Sequence, residues 1–271
     1  MILQLENYID GKFIPPFHGN YLENLNPAEN IVIAQIPEST AEDVDLAVKS
    51  ATNAQPIWST TPLNERIDWL RKIAAALDLR KSEIAMLESI DTGKPVKLAE
   101  RVDANRSVSN FTFFADHAEN LAELRFEMAD ATNYVIRKPV GTVGLITPWN
   151  LPLYLLTWKI APDLVMGNTI VAKPSELTPL TANLLCEVLD SINFPKGVIN
   201  IVHGLGSIVG QAIVEHPKIS AISFTGGTAT GKIVAATAAP MFKKLSLELG
   251  GKNATIILDD ADLSIAAQGA A

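Results

Sequence analysis

From Gly141 onward, short apolar runs alternate with amphipathic ones, and this rhythm constrains the fold more than any other feature of the sequence. Thr142–Ile146, Thr169–Ala172 (leading into Lys173), Val198–Val202 and Ala221–Phe224 are too short for helices and read as strands. Leu151–Met166, Thr178–Asp190, Ile208–Glu215 and Thr230–Ala238 lie between or after them and carry helical patterns. Strands that are apolar at nearly every position are buried on both faces, and strands joined through helices pair in parallel. The expected fold class is α/β, a parallel sheet with flanking helices. In such sheets ligands bind beyond the carboxyl ends of the strands.

The front of the chain is more helical. Within a mixed segment over residues 1–38, Tyr8–Phe13 reads as a hairpin around Asp10-Gly11. Ser39-Thr40-Ala41-Glu42 reads as a capping box that opens a first helix with Val44, Ala47, Val48 and Ala51 on one face. Further helices are expected from Thr61-Pro62, over Ser82–Thr92 with a stop at Gly93, and over Val96–Leu121. Around Asp130-Ala131-Thr132-Asn133, the flanking Phe126, Met128, Tyr134 and Ile136 suggest a two-stranded arm that leaves the body, an oligomer contact by its position.

With a formal charge of −8, 271 residues and 48% hydrophobic content, the chain has the composition of a mildly acidic globular protein, against nucleic acid or an anionic membrane as its main partner. One cysteine permits no internal disulfide, and the four histidines have no metal-ligand spacing. No run approaches the ~20 apolar residues of a membrane span, and no secretory signal pattern opens the chain. A reducing, cytoplasmic setting is expected.

The chemically unusual residues collect at the strand ends. They are Pro148-Trp149-Asn150, Lys173-Pro174-Ser175-Glu176, Gly204-Leu205-Gly206, Phe224-Thr225-Gly226-Gly227 and Glu248-Leu249-Gly250-Gly251. Each has a local explanation, whether helix cap, loop lysine or plain turn. Together on one sheet edge they fit a dinucleotide site, which needs glycines for close backbone approach and a helix N-terminus facing the phosphates. The spacing Gly204, Gly206, Gly210 is a weak signal alone. Gly226–Lys232 mimics an ATPase phosphate loop, but Ile233 stands where a hydroxyl must hold magnesium. Lys243–Asn253 reads as a strand with Leu245, Leu247 and Leu249 on a buried face, ending in the carboxylate of Glu248.

These motifs, in this order, resemble those of the aldehyde dehydrogenase superfamily along essentially the whole chain, and specifically its cofactor-binding half. The resemblance implies a Rossmann-like NAD-binding sheet, a two-stranded oligomerisation arm and a catalytic domain that is truncated here. It divides the chain into a helical layer at 1–122, the arm at 123–139, the NAD-binding core at 140–250 and the start of the catalytic domain at 251–271. It implies NAD-dependent oxidation of an aldehyde through a cysteine thioester, in a parent that is a homodimer or homotetramer. Asn150 would donate to the oxyanion and Glu248 would be the general base. Lys173 and Glu176 would hold the adenosine ribose, and Glu176 would disfavour a 2′-phosphate. Thr147, Pro148, Trp149, Ser175, Gly206, Gly210, Phe224, Thr225, Gly226, Gly227, Thr230, Leu249 and Gly250 would line the cofactor groove. Many family members carry serine where this chain has Gly227.

Asn150–Lys159 and Asp103–Val108 further resemble the branch that oxidises 2-aminomuconic or 2-hydroxymuconic semialdehyde. There, Arg106 would grip the substrate carboxylate, and Leu151, Leu155 and Trp158 would line the aldehyde tunnel. Arg106 equally reads as a helix-surface arginine in a local ion pair, and the three apolar residues as ordinary core. No metal is expected. The family's nucleophilic cysteine should lie beyond Glu248, and the sequence reaches Ala271 without one. Cys186, on the apolar side of the Thr178–Asp190 helix, reads as a buried structural thiol. The chain alone is therefore expected to be inactive and poorly soluble. A non-catalytic NAD-binding or interaction module is the alternative.

Overall fold

The computed structural model describes residues 2–122, 124–251 and 253–270. The first strands are β1 (Leu3–Gln4), β2 (Asn7–Ile9), β3 (Lys12–Ile14), β4 (Tyr21–Asn26) and β5 (Ile31–Pro37). β2 and β3 form the expected hairpin, with Asp10 and Gly11 at φ of 54° and 70°. Positive φ at both central residues matches the turn to the twist of its strands. β1, β5 and β4 form a separate small sheet that the sequence pattern did not suggest. A register shift at Asn24/Leu25 interrupts the alternation of β4, which hides it from a period-two search.

A helical layer follows. Helix α1 (Ala41–Thr60) is capped one residue later than expected, because Thr40 N donates to Asp43 Oδ2 at 2.9 Å, making Thr40/Asp43 the box and not Ser39/Glu42. α2 (Leu63–Leu79) and α3 (Lys81–Thr92) come next, and α3 stops at Gly93 with φ of 78°. The expected single helix at 96–121 is broken into α4 (Val96–Ala99), a π-helical turn (Glu100–Ala104) and α5 (Asn105–Glu119). At the wide turn the Asp103 carboxylate leaves the helix face to meet Lys94, at 2.8 Å. The arm is present as β6 (Leu124–Glu127) paired antiparallel with β7 (Thr132–Val135). Its turn closes through Met128 N donating to Ala131 O, so Thr132 and Asn133 belong to the strand and not to the turn.

The main sheet then winds up as the apolar runs require: β8 (Thr142–Ile146), α6 (Pro152–Val165), β9 (Thr169–Lys173), α7 (Leu180–Ser191) and β10 (Ile199–Ile201). After a second π-helical turn (Gly206–Gly210) come α8 (Gln211–Glu215), β11 (Ala221–Thr225), α9 (Thr228–Ala238) and β12 (Lys244–Glu248). Near the end lies α10 (Leu263–Ala270). Seven strands lie in the order β12-β11-β8-β9-β10-β2-β3. β12 to β10 are all parallel, and the β2–β3 hairpin adds antiparallel at one edge.

Each face of the sheet carries its own core. One joins Leu145, Ile170 and Ile201 to apolar residues of α2, α5, α6 and α7, and the other joins Ile146, Val171 and Ile222 to α1, α8 and α9. Gly144, in the middle of β8, lets the second face close, since a Cβ there would stand 2.5 Å from Ile213 Cγ2. The expected buried face of β12 is a correction: only Leu247 packs against the core and is half-buried, while Leu245 and Leu249 on the same face are exposed. Among the described residues no helix is long and apolar enough to cross a membrane.

Candidate functional site

The direction of winding reverses between β8 and β11. From β8 the chain proceeds to β9 and β10 on one side, then returns through α8 to place β11 and β12 on the other. Loops leaving the carboxyl ends of β8 and β11 therefore diverge to opposite faces and open a crevice. Thr147, Pro148, Trp149 and Asn150 form one lip, and Thr225, Gly226 and Gly227 the other. Gly226 N donates to Glu248 O at 3.0 Å, so the ends of β11 and β12 are tied together.

α9 begins at this opening, with Gly227 as its N-cap. The first-turn amides of a helix have no partner in the helix and favour an anion. Beside them the backbone is bare: a Cβ on Gly227 or Gly206 would meet nothing within 4 Å, whereas Gly226 lies against the ring of Phe224 and Gly231 against Leu249. Phe224 itself is buried in the core beneath the loop, Thr230 is exposed in the first turn of α9, and Gly250 lies near Thr228 Oγ1. Gly210 closes the π-helical turn and is buried. The loop before α9 is too short to wrap phosphates in the manner of an ATPase loop, and Lys232 already lies within the helix.

Next to the crevice, at the end of β9, stands Lys173, only 2% exposed. Its Nζ donates to Glu176 Oε2 at 2.5 Å, and Gly206 N approaches Glu176 Oε1 at 3.4 Å. Burial pushes the Lys173 ammonium down from its ordinary value, and Glu176 opposes that. Burial would raise Glu176, but the Lys173 charge and the hydrogen bonds win and hold it below the ordinary carboxylate range. Ser175 Oγ accepts from Leu177 N at 3.2 Å and turns the loop. Thr147 Oγ1 is buried without a partner among the described residues.

Glu248 lines a cavity of about 320 Å³ on the α6 side of the sheet, together with Trp158, Lys159, Asp163 and Ser223. Lys159, 5% exposed, donates to Ser223 Oγ at 2.7 Å. Burial lowers the Lys159 ammonium to about 8, while Glu248 and Asp163 pull it upward. Asp163 accepts from Asn168 at 2.9 Å and is raised by burial to about 6.

A sequence model of the aldehyde dehydrogenase family matches residues 14–271. The chain belongs to this family. It is 47% identical over 266 residues to the 2-aminomuconic semialdehyde dehydrogenase of Homo sapiens, covering 97% of this chain and 54% of that protein. To the 2-hydroxymuconic semialdehyde dehydrogenase of Pseudomonas sp. (strain CF600) it is 43% identical over 273 residues, covering 98% and 56%. The NAD+ complex of aldehyde dehydrogenase from Bacillus cereus superposes with a TM-score of 0.94 at 38% identity, over 98% of this chain and 55% of that one. The chain thus spans about half the length of the curated relatives it matches.

Among the residues expected from the aldehyde dehydrogenase resemblance, Thr147–Asn150 and Thr225–Gly227 follow β8 and β11, and Lys173 ends the neighbouring β9. Trp158 shares the cavity with Glu248, while Leu151, the N-cap of α6, and Leu155 on it are half-buried and do not line it. Arg106 is exposed in the first turn of α5 and has no ion pair among the described residues, so its reading as a surface salt bridge lacks a partner. One turn further, Asn110 Nδ2 donates to Tyr154 O and Thr157 Oγ1 at 3.0 and 2.9 Å, which turns this side of α5 toward α6. Sequence reasoning missed Lys159, Ser223 and Asp163. A lysine inside the apolar run of α6 was the available signal for the first.

Proposed function

We propose that this chain supplies the cofactor-binding half of an NAD-dependent aldehyde dehydrogenase whose substrate is a carboxylate-bearing semialdehyde of the muconic type. The observation that carries the reading is the Lys173–Glu176 pair at the end of β9, held beside Gly206, on the sheet edge where α9 also begins. This set fits a dinucleotide. Bare backbone at Gly206 and Gly227 leaves room for a pyrophosphate, and the α9 amides provide its donors. The Lys173 ammonium and Glu176 carboxylate match a ribose diol, and the ionised Glu176 opposes a 2′-phosphate, so NAD is preferred over NADP.

NAD, if held by these residues, would supply the hydride acceptor for the oxidation. The chain's own residues handle charge and protons around that event. The Asn150 side-chain amide donates to the oxyanion that forms when a thiol adds to the aldehyde. Glu248, in the cavity with Lys159 and Trp158, takes the proton of the thiol or of the water that releases the acid. Arg106 pairs with the substrate carboxylate through two parallel hydrogen bonds. Thr147, Pro148, Trp149, Ser175, Phe224, Thr225, Thr230, Leu249 and Gly250 shape the groove walls. Cys186 is not the thiol: it is 1% exposed and donates to Ala182 O inside α7. Oxidation through a thioester therefore requires an accessible thiol other than Cys186.

The same buried cysteine favours a second reading, a non-catalytic NAD-binding module. Both readings require cofactor binding. Calorimetry of the 271-residue chain should show NAD binding, weaker binding of NADP and none of MgATP. Absence of binding at millimolar NAD overturns both. Turnover of a muconic semialdehyde by a protein that contains this chain together with an accessible cysteine separates the first from the second. Through the exposed apolar side chains Phe126, Met128, Tyr134 and Ile136, the arm provides the homo-oligomer contact of the whole protein.

A further inference from the structure

The segment that carries Asn150 is held at both ends by two ionisable side chains of the helical layer, Lys94 and Glu88, and a third, Asp103, fixes the lysine. Lys94 Nζ donates to Asn150 O at 3.1 Å. Three residues on, Leu153 N donates to Glu88 Oε1 at 3.0 Å, and Thr181 Oγ1 reaches the same oxygen at 2.8 Å. The lysine is itself fixed, with Asp103 Oδ2 at 2.8 Å and Glu88 Oε2 at 3.8 Å. The side chains of Glu88 and Asp103 are fully buried and that of Lys94 is 12% exposed. Three separate pieces of chain contribute: Glu88 comes from α3, Lys94 follows the left-handed Gly93 that ends it, and Asp103 comes from the π-helical turn.

Cohesion alone does not account for such a cluster. Two carboxylates and one lysine in the interior stabilise a fold poorly compared with apolar residues of the same volume. Glu88 Oε2 and Asp103 Oδ1 are moreover left without hydrogen-bond partners among the described residues. What the cluster does provide is geometry. Fixing the carbonyl of Asn150 fixes the plane of its peptide with Leu151, and fixing the amide of Leu153 anchors the first turn of α6. The backbone from which the Asn150 side chain projects is then set from both sides.

We propose that Lys94, buttressed by Glu88 and Asp103, is a positioning residue that aims the Asn150 amide. Its catalytic importance rests on the reading of Asn150 as oxyanion donor, and its geometric content does not. The test uses the 15N-labelled 271-residue chain. The Asn150 side-chain amide signals are assigned by their loss in Asn150→Asp. In Lys94→Met these signals and the Leu151 amide should shift, while the amides of β8 and β9 stay in place, and Lys94→Arg should recover the wild-type positions. Should Lys94→Met not fold, the double variant Lys94→Met/Asp103→Asn removes one charge of each sign and carries the same expectation. Unmoved Asn150 signals in a folded variant overturn the proposal. So does a general shift across α3 and the sheet that Lys94→Arg fails to reverse, the mark of a purely structural lysine. An NAD titration of the wild-type chain runs alongside: failure to bind removes the functional reading and leaves the geometric result to stand on the spectra.

Discussion

Glu88 offers a quantitative handle on the buried charge cluster. Its carboxylate is raised from 4.5 to about 7, first by burial and then by the neighbouring Asp103, with Lys94 and the bonds from Leu153 and Thr181 opposing. A carboxylate raised in the folded state binds its proton more tightly there than in the unfolded chain. Its contribution to stability is fully present below pH 4.5 and is lost as pH rises to about 7, after which the loss is constant. At about 1.4 kcal/mol for each tenfold difference in proton affinity, the loss amounts to about 3 kcal/mol. Glu88→Gln removes the titration but keeps an oxygen that can accept from Leu153 N and Thr181 Oγ1. Relative to wild type, the variant should therefore gain about 3 kcal/mol between about pH 5 and about pH 8. Urea unfolding followed by tryptophan fluorescence measures both proteins across that range. Asp91, raised to about 7 by burial, and Asp163, raised to about 6, titrate in both and cancel in the difference. A flat difference would refute the reasoning and show that Lys94 and the hydrogen bonds offset burial, and a wild type that gains on the variant as pH rises would show that they outweigh it.

Other expectations are independent of that cluster. Cys186 is buried and its thiol is pushed well above its ordinary value by burial, so a thiol reagent should leave the native chain unmodified and react once urea unfolds it. Gly144→Ala places a methyl against buried Ile213 and Ile222 and should destabilise by about 1–3 kcal/mol in the same unfolding assay. On the proposed reading Glu176→Gln removes the charge that would face a 2′-phosphate, and calorimetry should show the preference for NAD over NADP narrowing, chiefly through tighter NADP binding.

The legible and illegible parts of this molecule differ by the range of the interactions behind them. Runs such as Thr142–Ile146 and Thr169–Lys173 announce themselves because a strand buried on both faces needs every residue apolar, a demand met locally. The turn at Asp10-Gly11 and the stop at Gly93 are local for the same reason, both resting on a left-handed backbone. The strand ends were legible because a switch point concentrates glycines and polar residues where loops diverge. Registers and edges were not. Leu245, Leu247 and Leu249 alternate as for a buried face, yet only the sheet order shows that β12 has a neighbour on one side alone.

Least legible were the partnerships across distant sequence. Lys159 meets Ser223 from α6 to β11, and Lys94 meets Asn150 from the end of α3 to the lip of the crevice. In sequence Lys159 stands out only as a lysine within the apolar run of α6, and Gly93-Lys94-Pro95 reads as nothing more than a helix stop. Burial changes their standing. An ammonium drawn out of water must find acceptors, and at both positions these acceptors belong to, or stand beside, the residues expected to act on substrate. Buried lysines next to strand-end loops are therefore the feature by which a site of this kind extends beyond its own motif. The Asn150 carbonyl is held by Lys94, which follows α3, and Glu248 shares its cavity with Lys159 of α6; both partners lie far away in sequence.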